Sequence, residues 1–134
     1  MDWLYKGEKF TEEQIGNNVA FVYLITDLDA GKYYVGKKMF SFKRMKVTKG
    51  KRKRVTMPSD WQSYHGSCQA LLDRVALLGV DYFQREILHL CATKGTASYL
   101  ELREQIDRRA LESPDYYNDY IIARINRSHL KLKG

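Results

Sequence analysis

No stretch of this 134-residue chain is apolar for long enough to cross a bilayer. Its polar, mixed-charge beginning lacks the pattern of a secretory signal. Both absences lead to the expectation of a soluble protein of the cytoplasm. Cysteine is scarce: Cys68 and Cys91 stand far apart, with no CxxC spacing. Two free, buried thiols are the simpler reading than a disulfide or a zinc site. Internal repeats and low-complexity tracts are also missing. The length fits one domain over residues 1–134, and 44% hydrophobic residues can fill one modest core.

The most telling absence is of acid. From Lys37 to Arg54 there are ten basic residues (Lys37, Lys38, Lys43, Arg44, Lys46, Lys49, Lys51, Arg52, Lys53 and Arg54) and no Asp or Glu. The chain as a whole has 23 Lys and Arg against 16 Asp and Glu. Outside the run, acid is therefore in slight excess, and the positive charge belongs to one patch. Such a patch is the footprint of a polyanion-binding surface. A solvated loop or a localisation-like basic run is the plainer alternative.

What is present is first a hairpin pattern. Phe21-Val22-Tyr23-Leu24-Ile25 and Tyr33-Tyr34-Val35-Gly36-Lys37-Lys38 flank the turn-rich Asp27-Leu28-Asp29-Ala30-Gly31-Lys32. β-Branched and aromatic residues on either side of a polar, Gly-containing loop predict strands at about 19–26 and 32–38, with Tyr23 and Tyr34 on neighbouring strands. Residues 1–17 read as a lead-in, with a capped helical turn at Thr11-Glu12-Glu13-Gln14. Residues 39–57 read as a basic hairpin or extended loop around Lys49-Gly50, projecting from the core.

After Pro58-Ser59-Asp60, a short turn carries Trp61, Tyr64 and His65. The spacing of Leu71, Leu72, Val75 and Leu78 predicts a helix that Gly79 stops. Residues 82–91 read as a strand, Lys94-Gly95-Thr96 as a turn, and 97–111 as a second helix packed through Tyr99, Leu102, Ile106 and Ala110. A C-terminal segment starts at Tyr116-Tyr117-Asn118, and residues 128–134 read as a frayed tail. The expected fold is α/β (α+β): a small three-stranded sheet flanked by helices, with a basic hairpin insertion.

Val22-Tyr23 and Tyr34-Val35-Gly36 resemble the two halves of the GIY-YIG nuclease signature at the family's usual separation. Phe21 and Val22 stand where the signature has Gly and Ile. The flavour is that of small phage-borne or mobile-element nucleases. The resemblance implies a metal-dependent endonuclease that hydrolyses DNA. It implies Glu101, on the helix after the third strand, as the single ligand of Mg2+ or Mn2+. It implies Tyr23 as the group that handles the nucleophile's proton, with Tyr34 beside it. Lys37 follows the glycine, as in many members, where a cation can lower a tyrosine pKa or neutralise a phosphate oxygen. Tyr117-Asn118 fits the family's asparagine.

The family's phosphate-binding arginine has two alignments here. It is Arg44, or the segment after the insertion puts Trp61 at that position and His65 at the following His or Tyr, where His65 would be a general base. Each of these residues also has an ordinary structural use: strand packing for the tyrosines, a surface ion pair for Glu101, a turn for Asn118.

DNA, double-stranded, is the expected partner of a monomer or homodimer. Lys38, Lys43, Lys46, Lys49, Lys51, Arg52, Lys53 and Arg54 would grip its phosphates, largely without reading bases. Phe40 and Phe42 are available to stack on an unpaired base, although core packing is the simpler use. Two other readings fit the same charge pattern: a binding protein of this fold that has lost the chemistry, and an RNA-binding basic module. Replacing Lys51, Arg52, Lys53 and Arg54 together by Ala should weaken DNA binding and reduce the slope of log K against log salt by up to about 3.6, with an unchanged circular dichroism spectrum. Binding measured from low to high salt checks this.

Overall fold

The computed structural model describes residues 1–130. Its main sheet is built on β3 (Ala20–Asp27), β4 (Lys32–Met39) and β7 (Phe83–Cys91), with β3 in the middle and antiparallel to both. β3 is buried on both faces, as a run of AFVYLITD requires. Phe21, Tyr23 and Ile25 face a layer with Trp3, Phe10, Phe40, Trp61 and Leu71, while Ala20, Val22 and Leu24 face Val35, Cys91 and Ala97. Helix α1 (Gln69–Leu78) supplies Leu71 to the first layer, and α2 (Lys94–Asp107) supplies Ala97 to the second. Gly79 ends α1 at φ +89, donating its N–H to the Val75 carbonyl.

The sheet is larger than the three strands expected. β1 (Trp3–Tyr5) runs parallel to β7, and β2 (Glu8–Lys9) pairs with β1, giving the order β2-β1-β7-β3-β4. The lead-in folds back through Lys6 (φ +52) and Gly7 (φ +83), the two positive φ angles a tight hairpin turn demands. The capped turn at Glu12–Ile15 is present, with the Thr11 N–H donating to Gln14 Oε1 at 2.9 Å.

The basic insertion is a separate two-stranded ribbon, β5 (Ser41–Thr48) and β6 (Lys51–Pro58), closed by Lys49 (φ +52) and Gly50 (φ +74). Phe40 is buried at its root, 3% exposed, so it packs rather than stacks on a base.

Helix α2 starts earlier than its periodicity predicts. Lys94-Gly95-Thr96 is its first turn, capped by the Thr93 Oγ1, which accepts from the Thr96 N–H. Gly95 is there for contact, since a Cβ would meet the His129 ring. Ile106 is 59% exposed, not packed. The helix face turned to the sheet beyond Ala97 carries Ser98, Glu101 and Gln105, which bond to or act on β4. Residues Arg127–Leu130 form a 3₁₀ turn against α2, and the rest of the expected frayed tail, 131–134, lies outside the described residues. No helix among the described residues is long and apolar enough to cross a membrane.

A buried carboxylate ties three segments together. Asp27, 0% exposed, accepts from the Asp29 and Ala30 N–H groups in the hairpin loop, from Arg74 of α1 (3.0 and 3.3 Å), and from the Tyr117 hydroxyl at 2.7 Å. Burial raises its pKa, but the Arg74, Ala30 and Tyr117 hydrogen bonds outweigh it and hold the carboxyl below its usual value. A depressed folded-state pKa gives stability that is complete above the unfolded value of about 3.9 and lost as pH falls through the folded one. Asp27→Asn should cost about 3 kcal/mol at neutral pH and remove this acid component. Urea unfolding of both proteins from pH 7 to pH 2 checks both effects.

Candidate active site

The site forms along the outer edge of β4, the last strand of the sheet. An edge strand exposes a row of N–H and C=O groups that need partners. Here three different kinds of group supply them. The Tyr33 N–H donates to the Asp115 carbonyl at 2.8 Å, and the Tyr33 carbonyl accepts from the Tyr117 N–H at 2.7 Å. Two residues on, the Asn118 side chain takes over: the Val35 N–H donates to Asn118 Oδ1 at 3.0 Å and Asn118 Nδ2 donates back to the Val35 carbonyl at 2.8 Å. Gln105 Nε2 adds a bond to the same carbonyl at 3.3 Å. Next along the edge, the Lys37 N–H lies near enough to the Glu101 carboxylate to favour its ionised form. Asn118 thus acts as a one-residue strand that fixes the edge beside Gly36.

Gly36 is what lets the two sheet faces share this edge. It is the cross-strand partner of Tyr23, and a Cβ there would collide with the Tyr23 hydroxyl. The phenol therefore lies against the β4 backbone at Gly36, almost wholly buried and outside the lining of the cavity that Tyr34 shares with Glu101. On its other side, β3 meets β7 with a bulge: Val22 pairs with His89 but Tyr23 with Ile87, leaving Leu88 over. Such a bulge re-aims the neighbouring side chain. The Tyr23 ring stands 6.2 Å from Tyr34 and 6.0 Å from Tyr64. Tyr34 shares a 3.2 Å hydrogen bond with Ser67 and packs over Gly66, whose φ of +91 turns the chain there.

Glu101 comes from α2, on the opposite face, and meets the phenols round this edge. It lines a cavity of about 350 Å3 together with Tyr34, Ser67, Gln105, Asn118 and Tyr120. Burial raises its pKa, and the charge and main-chain N–H of Lys37 pull it back. Lys37 Nζ is held by Ser98 Oγ at 2.6 Å. Tyr23 titrates well above the normal phenol, chiefly through burial and then through Tyr64, Tyr34 and Glu101. Tyr34 is raised too, mainly by burial, against the Ser67 hydrogen bond. Lys37 acts on Glu101 through its charge, and of its two expected tasks the lowering of a tyrosine pKa is not seen, since Tyr23 and Tyr34 are both raised. Among the described residues, no three His, Cys, Asp or Glu cluster as a multidentate metal site. Two carboxylates, Glu101 and Asp119, line the cavity, and of these Glu101 is half-buried while Asp119 is exposed.

Other expected residues lie elsewhere. Arg44 is exposed on β5 and takes no part in the cavity lining. Trp61 is a core residue, 7% exposed, its carbonyl accepting from the Trp3 indole at 2.8 Å. His65 also stands outside the lining. Its Nδ1 pairs with the Ser63 carbonyl at 2.8 Å, and burial, Arg85 and the N-terminal amine lower its pKa against that bond. The corresponding place beside Tyr23 belongs to Tyr64, its sequence neighbour. Lys38 is not a free cation: it sits 2.6 Å from Asp60 and 4.0 Å over the Tyr64 ring. Lys43, Arg44, Lys46, Lys49, Lys51, Arg52, Lys53 and Arg54 are all exposed on the ribbon. The residues that sequence reasoning passed over are Tyr64, Ser98 and Gln105. Ser98, Glu101 and Gln105 form a polar stripe at helical spacing, which a search for apolar periodicity ignores.

A family model described as "Putative endonuclease segE, GIY-YIG domain" matches residues 3–121, which include every group of this edge. No curated protein and no solved structure matches the chain. The matched span and the phenol, glycine and carboxylate arranged on β3, β4 and α2 lead to one conclusion: the chain belongs to the GIY-YIG endonuclease family.

Proposed function

We propose that the protein is a metal-dependent endonuclease that hydrolyses DNA phosphodiester bonds at the β4 edge. The observation that carries this reading is the convergence of Tyr34 and Glu101 in one cavity, with the Tyr23 phenol packed against Gly36 just behind Tyr34, 6.2 Å between ring centres. Mg2+ or Mn2+ suits the donor set. Such ions keep most of their water and need only one or two protein carboxylates, and the cavity has room for a hydrated ion and a phosphate. Glu101 would hold it, and the bound ion would supply Lewis-acid stabilisation of charge on the phosphate.

The chain's own groups have distinct tasks. Tyr23 keeps its proton at neutral pH because burial disfavours the phenolate. It orients the attacking water and donates a hydrogen bond to a non-bridging phosphate oxygen. Tyr34, steadied by Ser67, fixes the other side of the phosphate. Lys37 favours the ionised form of Glu101 and offers positive charge to the phosphate, the task expected of Arg44. Asn118 holds the edge to which all of them are referred. A binding protein without chemistry is the second reading, favoured by the lack of an arginine in the cavity lining among the described residues.

Supercoiled plasmid incubated with Mg2+ should be nicked by the wild type and left intact in EDTA. Glu101→Ala should lose the activity, and Tyr23→Phe should lower the cleavage rate about a hundredfold or more while DNA affinity, measured in Ca2+, stays within a fewfold. Binding without nicking in the wild type would establish the second reading. The pH profile gives an independent check. Glu101 must be ionised, and its raised pKa puts the acid limb of kcat/KM above the ordinary glutamate value of about 4.3. Lys37→Met removes the favourable charge and should shift that limb to still higher pH. Tyr23, raised above the phenol range, adds no loss on the alkaline side below about pH 10.

A further inference from the structure

Ribbon β5–β6 is unlike the rest of the surface. Its eight bases from Lys43 to Arg54 face no acid within the ribbon, and among the described residues its strands pair only with each other. Charge alone implies phosphate contact. The cross-strand register implies more. Residues paired across an antiparallel ladder share a face, and neighbours along a strand alternate. Met45 pairs with Arg54 and Val47 with Arg52, so two apolar residues and two arginines occupy one face. Lys46 pairs with Lys53 and Thr48 with Lys51, so lysines crowd the tip of the other, while nearer the root Lys43 lies on the first face and Arg44 on the second.

The root of the lysine face is partly covered through Val55 and Met57. The arginine face leaves Met45 and Val47 open, 56% and 65% exposed. An apolar pair on β5 beside an arginine pair on β6, on one open face of the ribbon, matches the requirements for reading base edges. Arginine forks pair with guanine O6 and N7, and apolar side chains meet the thymine methyl. Lysine is a point charge suited to phosphate. The dimensions agree. Two strands of eight residues make a ribbon roughly 26 Å long, and the major groove of B-DNA, about 12 Å wide, admits a two-stranded ribbon, whereas the minor groove of about 6 Å does not. The deep, narrow major groove of A-form RNA excludes it as well.

We propose that β5–β6 enters the major groove of a B-form DNA duplex with the Met45, Val47, Arg52 and Arg54 face on the base edges, giving the nuclease a sequence preference, while Lys46, Lys51 and Lys53 hold the flanking phosphates. This rests on the endonuclease reading for the act of cutting, but binding tests it separately. The full chain, in Ca2+ to prevent cleavage, is used to select from a library of random-sequence duplexes. The wild type should enrich a motif of a few base pairs that includes guanine. Arg52→Lys/Arg54→Lys keeps the charge and loses the forks. It should reduce the preference for the motif over random duplex roughly tenfold or more, with the salt slope and thermal unfolding unchanged. Lys46→Gln/Lys51→Gln/Lys53→Gln should weaken binding to all duplexes alike and lower the salt slope by about 2.7, with the motif intact.

No motif in the wild type, or a motif untouched by the arginine substitutions, overturns the proposal. So does equal or tighter binding of single strands or of RNA duplex. Plasmid nicking in Mg2+ keeps the two readings apart. Cleavage without a motif removes base reading and leaves the nuclease, and a motif without cleavage does the reverse.

Discussion

The hydrogen bonds on the open side of β4 are the constraint around which the molecule is arranged. A sheet edge left bare would need water or another chain to satisfy it. Here the segment before Asn118, the Asn118 amide and the Glu101 carboxylate take consecutive places on it. Reactive groups and structural groups are thus members of one series. The strand fixes the asparagine directly, and the glutamate lies beside the next outward-facing N–H, that of Lys37.

Electrostatics at the edge follow from the same packing. The two phenols and the carboxylate all lie where water is scarce, and burial raises all three pKa values. For the tyrosines this preserves neutral donors. For the carboxylate it creates a need for positive charge, met in part by Lys37. Lys38, one residue on, faces the other layer and is neutralised by Asp60. Alternation along one strand therefore gives two adjacent lysines different roles.

Much of this was legible in the primary structure. The β3–β4 hairpin, the ribbon, α1 and β7 could be read because alternation, glycines and apolar spacing agreed with one another. The bringing together of Tyr23, Tyr34 and Glu101 was readable through the family resemblance and not through the residues alone. What escaped has identifiable physical reasons. β1 and β2, with three and two residues, are too short to show a period. Helix α2 turns Ser98, Glu101 and Gln105 toward the sheet, so its apolar pattern gave a rotated face and made Ile106 a core residue. His65 drew notice because it titrates near neutrality, while its neighbour Tyr64 is the one beside Tyr23. Arg44 matched a spacing in sequence that the ribbon carries away from the cavity.

The amide that closes the edge belongs to a residue 83 positions beyond Val35, the strand residue it pairs with. On a ribosome, β4 is made long before Asn118 leaves the exit tunnel. Through that interval the strand presents an unfilled template, open to invasion by any extended segment nearby. The wall of the cavity is also missing, since Asn118 and Tyr120 contribute to it. A growing polypeptide therefore cannot assemble the pocket before this late segment is synthesised, and the same contact that finishes the fold also delays the pocket until the chain has passed residue 118.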